Sequence, residues 1–131
     1  MSKYNNYITK TSDGIEHASI REGNRWCELQ LLLRAGKIKD LQRQVEYELI
    51  PAQYESYPRY GKRGQRLKDG IRLIERRCCY VADFVYTDCL TGEKVVEDAK
   101  GYRDPSSAGY AKFVIKRKLM LYIHKIKVKE V

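Results

Sequence analysis

Between Leu41 and Leu49 alternate residues fall on opposite sides of an extended chain, with Leu41, Arg43, Val45, Tyr47 and Leu49 on one and Gln42, Gln44, Glu46 and Glu48 on the other. Side chains of a strand alternate between faces, so the pattern predicts a half-buried strand over 41–50, which Pro51 stops. Upstream the period lengthens to that of a helix: Trp26, Leu29 and Leu33 recur at three- and four-residue steps, with Leu31 and Leu32 thickening the stripe. Ser19 with Glu22 three residues later has the spacing of a capping box. Ala35-Gly36 closes the segment, because glycine accepts the left-handed conformation that ends a helix. A helix over about 19–35 follows.

Residues 1–12 are polar and expected to be loose, with a turn at Asp13-Gly14. The stretch 51–70 sets Pro51, Pro58, Gly61, Gly64 and Gly70 among tyrosines and basic residues, and predicts a long exposed loop. A β-rich run from Ile71 to Tyr86, a glycine-containing turn over 87–93 and a second run over 94–100 predict a hairpin. Pro105-Ser106-Ser107 lead into a second helix over about 107–122, with Tyr110, Phe113, Val114 and Leu121 near one side. Ile126, Val128 and Glu130 against Lys125, Lys127 and Lys129 predict a closing strand. The order is αβββαβ, and the last crossover is long enough to lay the final strand parallel to an earlier one with right-handed connection.

With 131 residues the chain fits a single domain over 1–131, large enough to fold without a metal or disulfide staple. Any metal would therefore serve chemistry. A hydrophobic share of 43% with 33% charged residues excludes a membrane protein and argues against disorder. Cys27, Cys78, Cys79 and Cys89 lack zinc-site spacing, and the polar start Met-Ser-Lys-Tyr-Asn-Asn has no apolar signal core. Reduced thiols in the cytoplasm are expected.

Charge adds a partner to this picture. The 26 Lys and Arg against 17 Asp and Glu leave +9, and nucleic acid is the commonest partner of such a chain. Residues 59–79 carry eight basic and two acidic side chains, and residues 110–131 carry seven and one, so each cluster holds +6 and the remainder is −3. An acidic remainder in a basic protein needs a reason, and a carboxylate metal site is one.

Asp83 lies mid-strand in Tyr80-Val81-Ala82-Asp83-Phe84-Val85-Tyr86, and Asp98 repeats the oddity on the strand predicted to pair with it. Alternation puts Asp98 and Lys100 on one face, Glu97 and Ala99 on the other. Two close carboxylates repel unless a cation joins them, and Mg2+ takes oxygen ligands of this kind, with Mn2+ a natural substitute. Lys100 beside such an ion could position water or stabilise charge on a phosphate. The alternative is two surface salt bridges to Arg or Lys.

The arrangement as a whole resembles the PD-(D/E)XK, restriction-endonuclease-like, nuclease superfamily, and within it a family of short phage and prophage proteins. The runs that carry the resemblance are Asp13-Gly14-Ile15, Ser19-Ile20-Arg21-Glu22, Arg25, Glu28 to Leu32, Gly36 to Leu41, Gln44, Tyr80 to Phe84 and Val96 to Gly101, spread over about 13–131. It implies an α/β fold with an αβββαβ core, a mixed central sheet flanked by helices. It also implies Mg2+-dependent hydrolysis of phosphodiesters, with Asp83, Asp98 and Glu22 as metal ligands and Lys100 as the catalytic lysine. Ala82 stands where the superfamily's name has proline, and Gly23 where the family usually has alanine, at a cost to the helix of ~1 kcal/mol.

Glu22 has a second reading, as the acid of the capping box. Arg25 is placed near phosphate or in a surface salt bridge, Gln44 beside the active site or in solvent, and Lys116 toward the scissile phosphate or in solvent. His17 and His124 have no partner at a recognisable spacing and are assigned no role. Arg59, Lys62, Arg63 and Arg66 interleave with Tyr54, Tyr57 and Tyr60, a mixture able to stack bases and bind phosphates. The function expected is a structure-specific DNA endonuclease, resembling a Holliday-junction resolvase, in a bacterial host's cytoplasm if phage-encoded. Branched or duplex DNA is the expected partner, together with a second copy of the chain, since cutting two strands symmetrically needs two sites. The competing classes are a non-catalytic nucleic-acid-binding module on the same fold and a viral assembly protein.

Overall fold

The computed structural model describes residues 8–100 and 104–131. Helix α1 spans Ile20–Arg34, begun by Ser19, whose Oγ accepts the Glu22 N–H at 3.1 Å. Gly36 follows its last turn at φ 72°. Ahead of the helix, strands β1 (Thr9–Lys10) and β2 (Glu16–His17) pair antiparallel. The loose N-terminus expected over 1–12 is thus corrected at Thr9–Lys10, while 1–7 lie outside the described residues. β1 also explains Gly23. A Cβ there would stand 2.4 Å from Thr9 Cγ2, so the glycine that weakens the helix lets β1 lie against it.

Four strands form the central sheet: β3 (Ile38–Ile50), then, beyond an inserted hairpin, β6 (Cys78–Asp88), β7 (Lys94–Asp98) and β8 (Lys129–Glu130). β3, β6 and β7 are antiparallel neighbours, and β8 joins β7 in parallel after the crossover through α2 (Ala108–Leu119). α2 is capped by Ser107 and runs on into one π-helical turn, Met120–His124, which Lys125 ends at φ 59°. Leaving aside β1, β2 and the inserted hairpin, the order is the αβββαβ that the sequence predicts, in a mixed α/β domain.

The inserted hairpin corrects two expectations. In place of a loop over 51–70 the chain forms β4 (Gln53–Tyr60) and β5 (Arg66–Glu75), an antiparallel ribbon separate from the central sheet. The run Ile71–Tyr86 is accordingly two strands, broken at Arg76-Arg77. Alternation fails as a signal because the ribbon is exposed on both sides and has no core face to mark. Of its glycines, Gly61 and Gly64 make the turn, while Gly70 lies beneath the cross-strand ring of Tyr57.

The core lies on both faces of the sheet. Trp26 and Leu29 of α1 pack on Ile38, Phe84 and Tyr86, whereas Phe113 and Met120 pack on Leu49, Tyr80, Ala82, Val85 and Val96. Phe84 and Val85 are consecutive and point opposite ways, so the two helices cover opposite faces. Burying side chains such as Leu29 and Phe84 fully contributes about 1.5–3 kcal/mol each. Among the described residues no helix is long and apolar enough to cross a membrane.

Candidate active site

On β6 the alternation slips by one residue. Tyr80, Ala82 and Val85 face α2, while Phe84 and Tyr86 face α1, so the step between Ala82 and Val85 holds two residues in place of one. Asp83 stands at that step, where the register with β3 is unshifted. Opposite it on β3, between the pairs Arg43↔Phe84 and Val45↔Ala82, Gln44 adopts φ 51°. A left-handed conformation costs a side-chain-bearing residue roughly 1–2 kcal/mol, and such strain is retained where surrounding structure requires it. Here it sets the Gln44 amide between two carboxylates, with Nε2 at 3.4 Å from both Asp83 Oδ1 and Glu22 Oε1.

The other oxygen of Asp83, Oδ2, accepts the Ala99 N–H at 2.8 Å. Phe84 pairs with Glu97, so one step along the ladder sets Asp98 across from Asp83. Asp98 is buried; its Oδ2 accepts the Tyr80 hydroxyl at 2.7 Å. Its Oδ1 lies 3.0 Å from Lys100 Nζ as an ion pair, and this buried oxygen accepts no aligned hydrogen bond among the described residues. Lys100 Nζ also stands 4.2 Å from the centroid of the Phe113 ring.

This crowding of acids shows in their protonation. Burial first, then the charge of Asp98 and after it that of Glu22, push the Asp83 carboxyl up to about 7 against the Ala99 N–H and Lys100. Burial and the Asp98 charge push the Tyr80 hydroxyl far above its ordinary value, so it remains a donor to Asp98.

Glu22 is buried on the first turn of α1. Its N–H serves the cap, whereas its carboxylate turns to Gln44, to His17 Nδ1 at 3.5 Å and to Arg43 Nη2 at 3.8 Å. His17, which the sequence leaves without a role, is buried beneath α1 and also meets Thr11 Oγ1 through Nε2 at 3.3 Å. His17, Arg43 and Tyr80 are therefore site residues that spacing alone does not reveal. Each arrives from a different element, and no local motif links them.

Arg25 is not at the cluster. Its Nε and Nη2 donate to the two carboxylate oxygens of Glu97 at 2.8 and 2.7 Å, and Nη1 to Glu28 at 2.8 Å. Glu97 is fully buried and also accepts the Tyr86 hydroxyl. Arg25 thus joins α1 to β7 through the buried Glu97 and also makes, to Glu28, the surface salt bridge that the sequence offers beside a phosphate contact. Lys116 is half-buried on α2 and forms no ion pair with the described residues. Arg59 and Arg66 lie on the ribbon's strands and Lys62 and Arg63 in its turn, apart from the carboxylates on a separate sheet.

The donor set of Asp83, Asp98 and Glu22 is all carboxylate oxygen, which suits a hard divalent cation. Asp98 Oδ1, buried beside Lys100 without an aligned hydrogen bond among the described residues, and Asp83, whose carboxyl is raised to about 7, are both groups that a cation would satisfy. Among the described residues no three Asp, Glu, His or Cys side chains converge on one point, because Asp83 and Glu22 share Gln44 while Asp98 is turned to Tyr80 and Lys100.

A family model described as "Protein of unknown function (DUF1064)" matches residues 1–129, and the chain belongs to that family. No curated protein and no solved structure matches it.

Proposed function

We propose that this member of the DUF1064 family is a divalent-metal-dependent endonuclease of the PD-(D/E)XK type, hydrolysing phosphodiester bonds in DNA. One observation carries the reading. Glu22 on α1, Asp83 on β6 and Asp98 at the end of β7 lie around the step at Asp83 where β6 breaks its alternation, linked in pairs through Gln44 and the Ala99 N–H, with Lys100 just past β7 paired to Asp98. A salt-bridged surface pair would not need a strained Gln44, a carboxylate as buried as Asp98, or a carboxyl raised to about 7.

Asp83 and Asp98, with Glu22 beside them, would hold Mg2+ or Mn2+, which supplies a Lewis acid for the phosphate and lowers the pKa of water. Gln44 holds Asp83 and Glu22 in register, and Tyr80 fixes the outer oxygen of Asp98. Lys100, kept beside Asp98 by the ion pair, carries the positive charge that offsets charge gathering on the phosphate as the P–O bond breaks. Water adds to phosphorus, the sugar oxygen leaves, and a proton passes to it.

The substrate is proposed to be branched or duplex DNA, cut by a two-fold pair of chains, since each chain offers one such cluster and two strands need two. Supercoiled plasmid and a synthetic four-way junction, each with Mg2+, Mn2+ or EDTA, test this. Cleavage with metal and none with EDTA is the expected result. Intact DNA under all metals, with protein shown to bind it, would replace this reading by a non-catalytic binding module. Light scattering with and without the junction reads the copy number. A monomer in both, giving nicks alone, would turn the proposal to a nicking enzyme.

A further inference from the structure

The ribbon β4–β5 is left unused by this chemistry. A two-stranded hairpin is marginal in water by itself, yet this one carries pairs that stiffen it. Tyr57 covers Gly70, Arg72 stacks over Tyr57 at 5.1 Å and pairs with Glu55, and Arg66 pairs with Asp69 at 2.6 Å while lying 5.6 Å over Tyr60. Those pairs neutralise Arg66 and Arg72. Arg59, Lys62, Arg63 and Lys68, grouped at the far end around the Gly61–Gln65 turn, have no ion pair among the described residues. A narrow projection thus ends in four unneutralised cations.

One face of the ribbon carries exposed apolar side chains. The pairs Tyr54↔Leu73 and Ser56↔Ile71 set Tyr54, Leu73 and Ile71 on the same side, at 62%, 48% and 73% exposure. Solvated apolar side chains beside a cationic tip match one occupant better than others. The major groove of B-form DNA, about 12 Å wide, admits a two-stranded ribbon and presents thymine methyl groups between walls of phosphate. The minor groove, about 6 Å wide, takes strands only where the duplex is bent or widened, and the major groove of A-form RNA is too narrow for side chains to read.

We propose that β4–β5 is an arm that lies in the major groove of B-form duplex DNA, its apolar face on base edges and its tip cations on the flanking phosphates. The inference deepens the nuclease reading and rests on it for the choice of DNA. Its reach is bounded. β5 and β6 run in series, so Arg66 is 17 residues from Asp83, at most about 56 Å at ~3.3 Å per residue, or about 16 base pairs.

The test reads binding rather than cleavage. A 40-base-pair duplex is titrated by fluorescence anisotropy in Ca2+ at several salt concentrations, and bound DNA is probed with dimethyl sulfate, which methylates guanine N7 in the major groove. The variants are the tip set Arg59→Ala, Lys62→Ala, Arg63→Ala and Lys68→Ala combined, and the face pair Ile71→Thr with Leu73→Thr, with circular dichroism to verify folding. The wild type should protect N7 within about 16 base pairs of the binding centre and bind DNA at least tenfold more tightly than duplex RNA of equal length. The tip set should flatten the salt dependence by about 0.9 in slope for each phosphate that is no longer neutralised. The face pair should lose N7 protection.

Bound DNA with N7 fully reactive, equal affinity for duplex RNA, or an unchanged slope in the tip set would each overturn the arm. So would a face pair that turns a dimer into a monomer in ultracentrifugation yet keeps N7 protection, since that face would then belong to a second copy. These outcomes leave metal-dependent cleavage standing. Conversely, N7 protection in a protein that never cleaves supports the arm while the nuclease reading fails.

Discussion

The Ala99 N–H donates to Asp83 Oδ2 at 2.8 Å, so the main chain that bears Asp98 on one side and Lys100 on the other also fixes the carboxylate across from them. The hydrogen bond makes the two strands one unit, and the acid–x–lysine spacing gains its geometry from that contact rather than from β7 alone. Asp98→Ala should therefore abolish Mg2+-dependent cleavage while leaving DNA affinity intact or raised, since a negative charge near phosphate has gone. Plasmid nicking and anisotropy measured on one preparation give both readouts. Undiminished nicking would remove Asp98 from the site.

Lys100→Met keeps chain length and the packing on Phe113 while removing the charge held 3.0 Å from Asp98 Oδ1. The expected loss in cleavage rate is about 100-fold or more, the scale for one preorganised electrostatic group. Single-turnover rates with saturating protein separate this from binding. A loss under about tenfold would mark Lys100 as a solvated charge.

The sequence makes α1, β3 and the β6–β7 hairpin readable because each has a buried face, and burial writes period and caps into the chain, whereas the closing strand expected from Lys125 to Glu130 pairs only at Lys129–Glu130. Asp83 and Asp98 stand out as carboxylates within predicted strands, whereas their grouping with Lys100 and Glu22 into one site comes from the resemblance to the PD-(D/E)XK superfamily. The ribbon is hidden because exposure on both faces erases alternation, and its glycines mimic a loop. Arg25 and Glu97 are 72 residues apart, a separation no local pattern bridges, so the sequence leaves Arg25 between a phosphate contact and a surface salt bridge and gives no sign of its pair with the buried Glu97. Gln44 hides its strain, because glutamine seldom signals a positive φ as glycine or asparagine does.

That buried pair carries its own expectation. Arg25→Ala leaves the fully buried Glu97 with the Tyr86 hydroxyl as its one side-chain donor among the described residues, and an orphaned buried charge costs about 3–5 kcal/mol. For a domain of this size, that corresponds to a fall in Tm of roughly 10–20 °C. Glu97→Gln, which removes the charge and retains hydrogen bonding, should cost less. Thermal melts and the salt dependence of DNA binding discriminate the two roles of Arg25. A flattened salt slope with unchanged Tm would return it to the phosphate contact expected from sequence.

The raised carboxyl of Asp83 makes the metal-free protein's stability depend on pH in a defined direction. The folded state holds the proton up to about 7, while the unfolded chain releases it near the ordinary 3.8. Below about pH 4 both states are protonated and the site costs nothing. Between 4 and 7 the unfolded chain binds fewer protons than the folded one, so stability falls as pH rises, and above 7 the loss is constant. The full span corresponds to at most about 4 kcal/mol. Asp83→Asn keeps an acceptor for the Ala99 N–H and abolishes the titration. In EDTA, wild type and Asp83→Asn should therefore melt together near pH 4, and the wild type should become progressively less stable than the variant up to pH 8. Adding Mg2+ at pH 8 should restore the wild type and leave the variant little changed, because the cation takes the place of the proton. A difference in Tm that stays flat from pH 4 to 8 would show that Asp83 is ionised throughout, and that Gln44 and Lys100 already balance its charge.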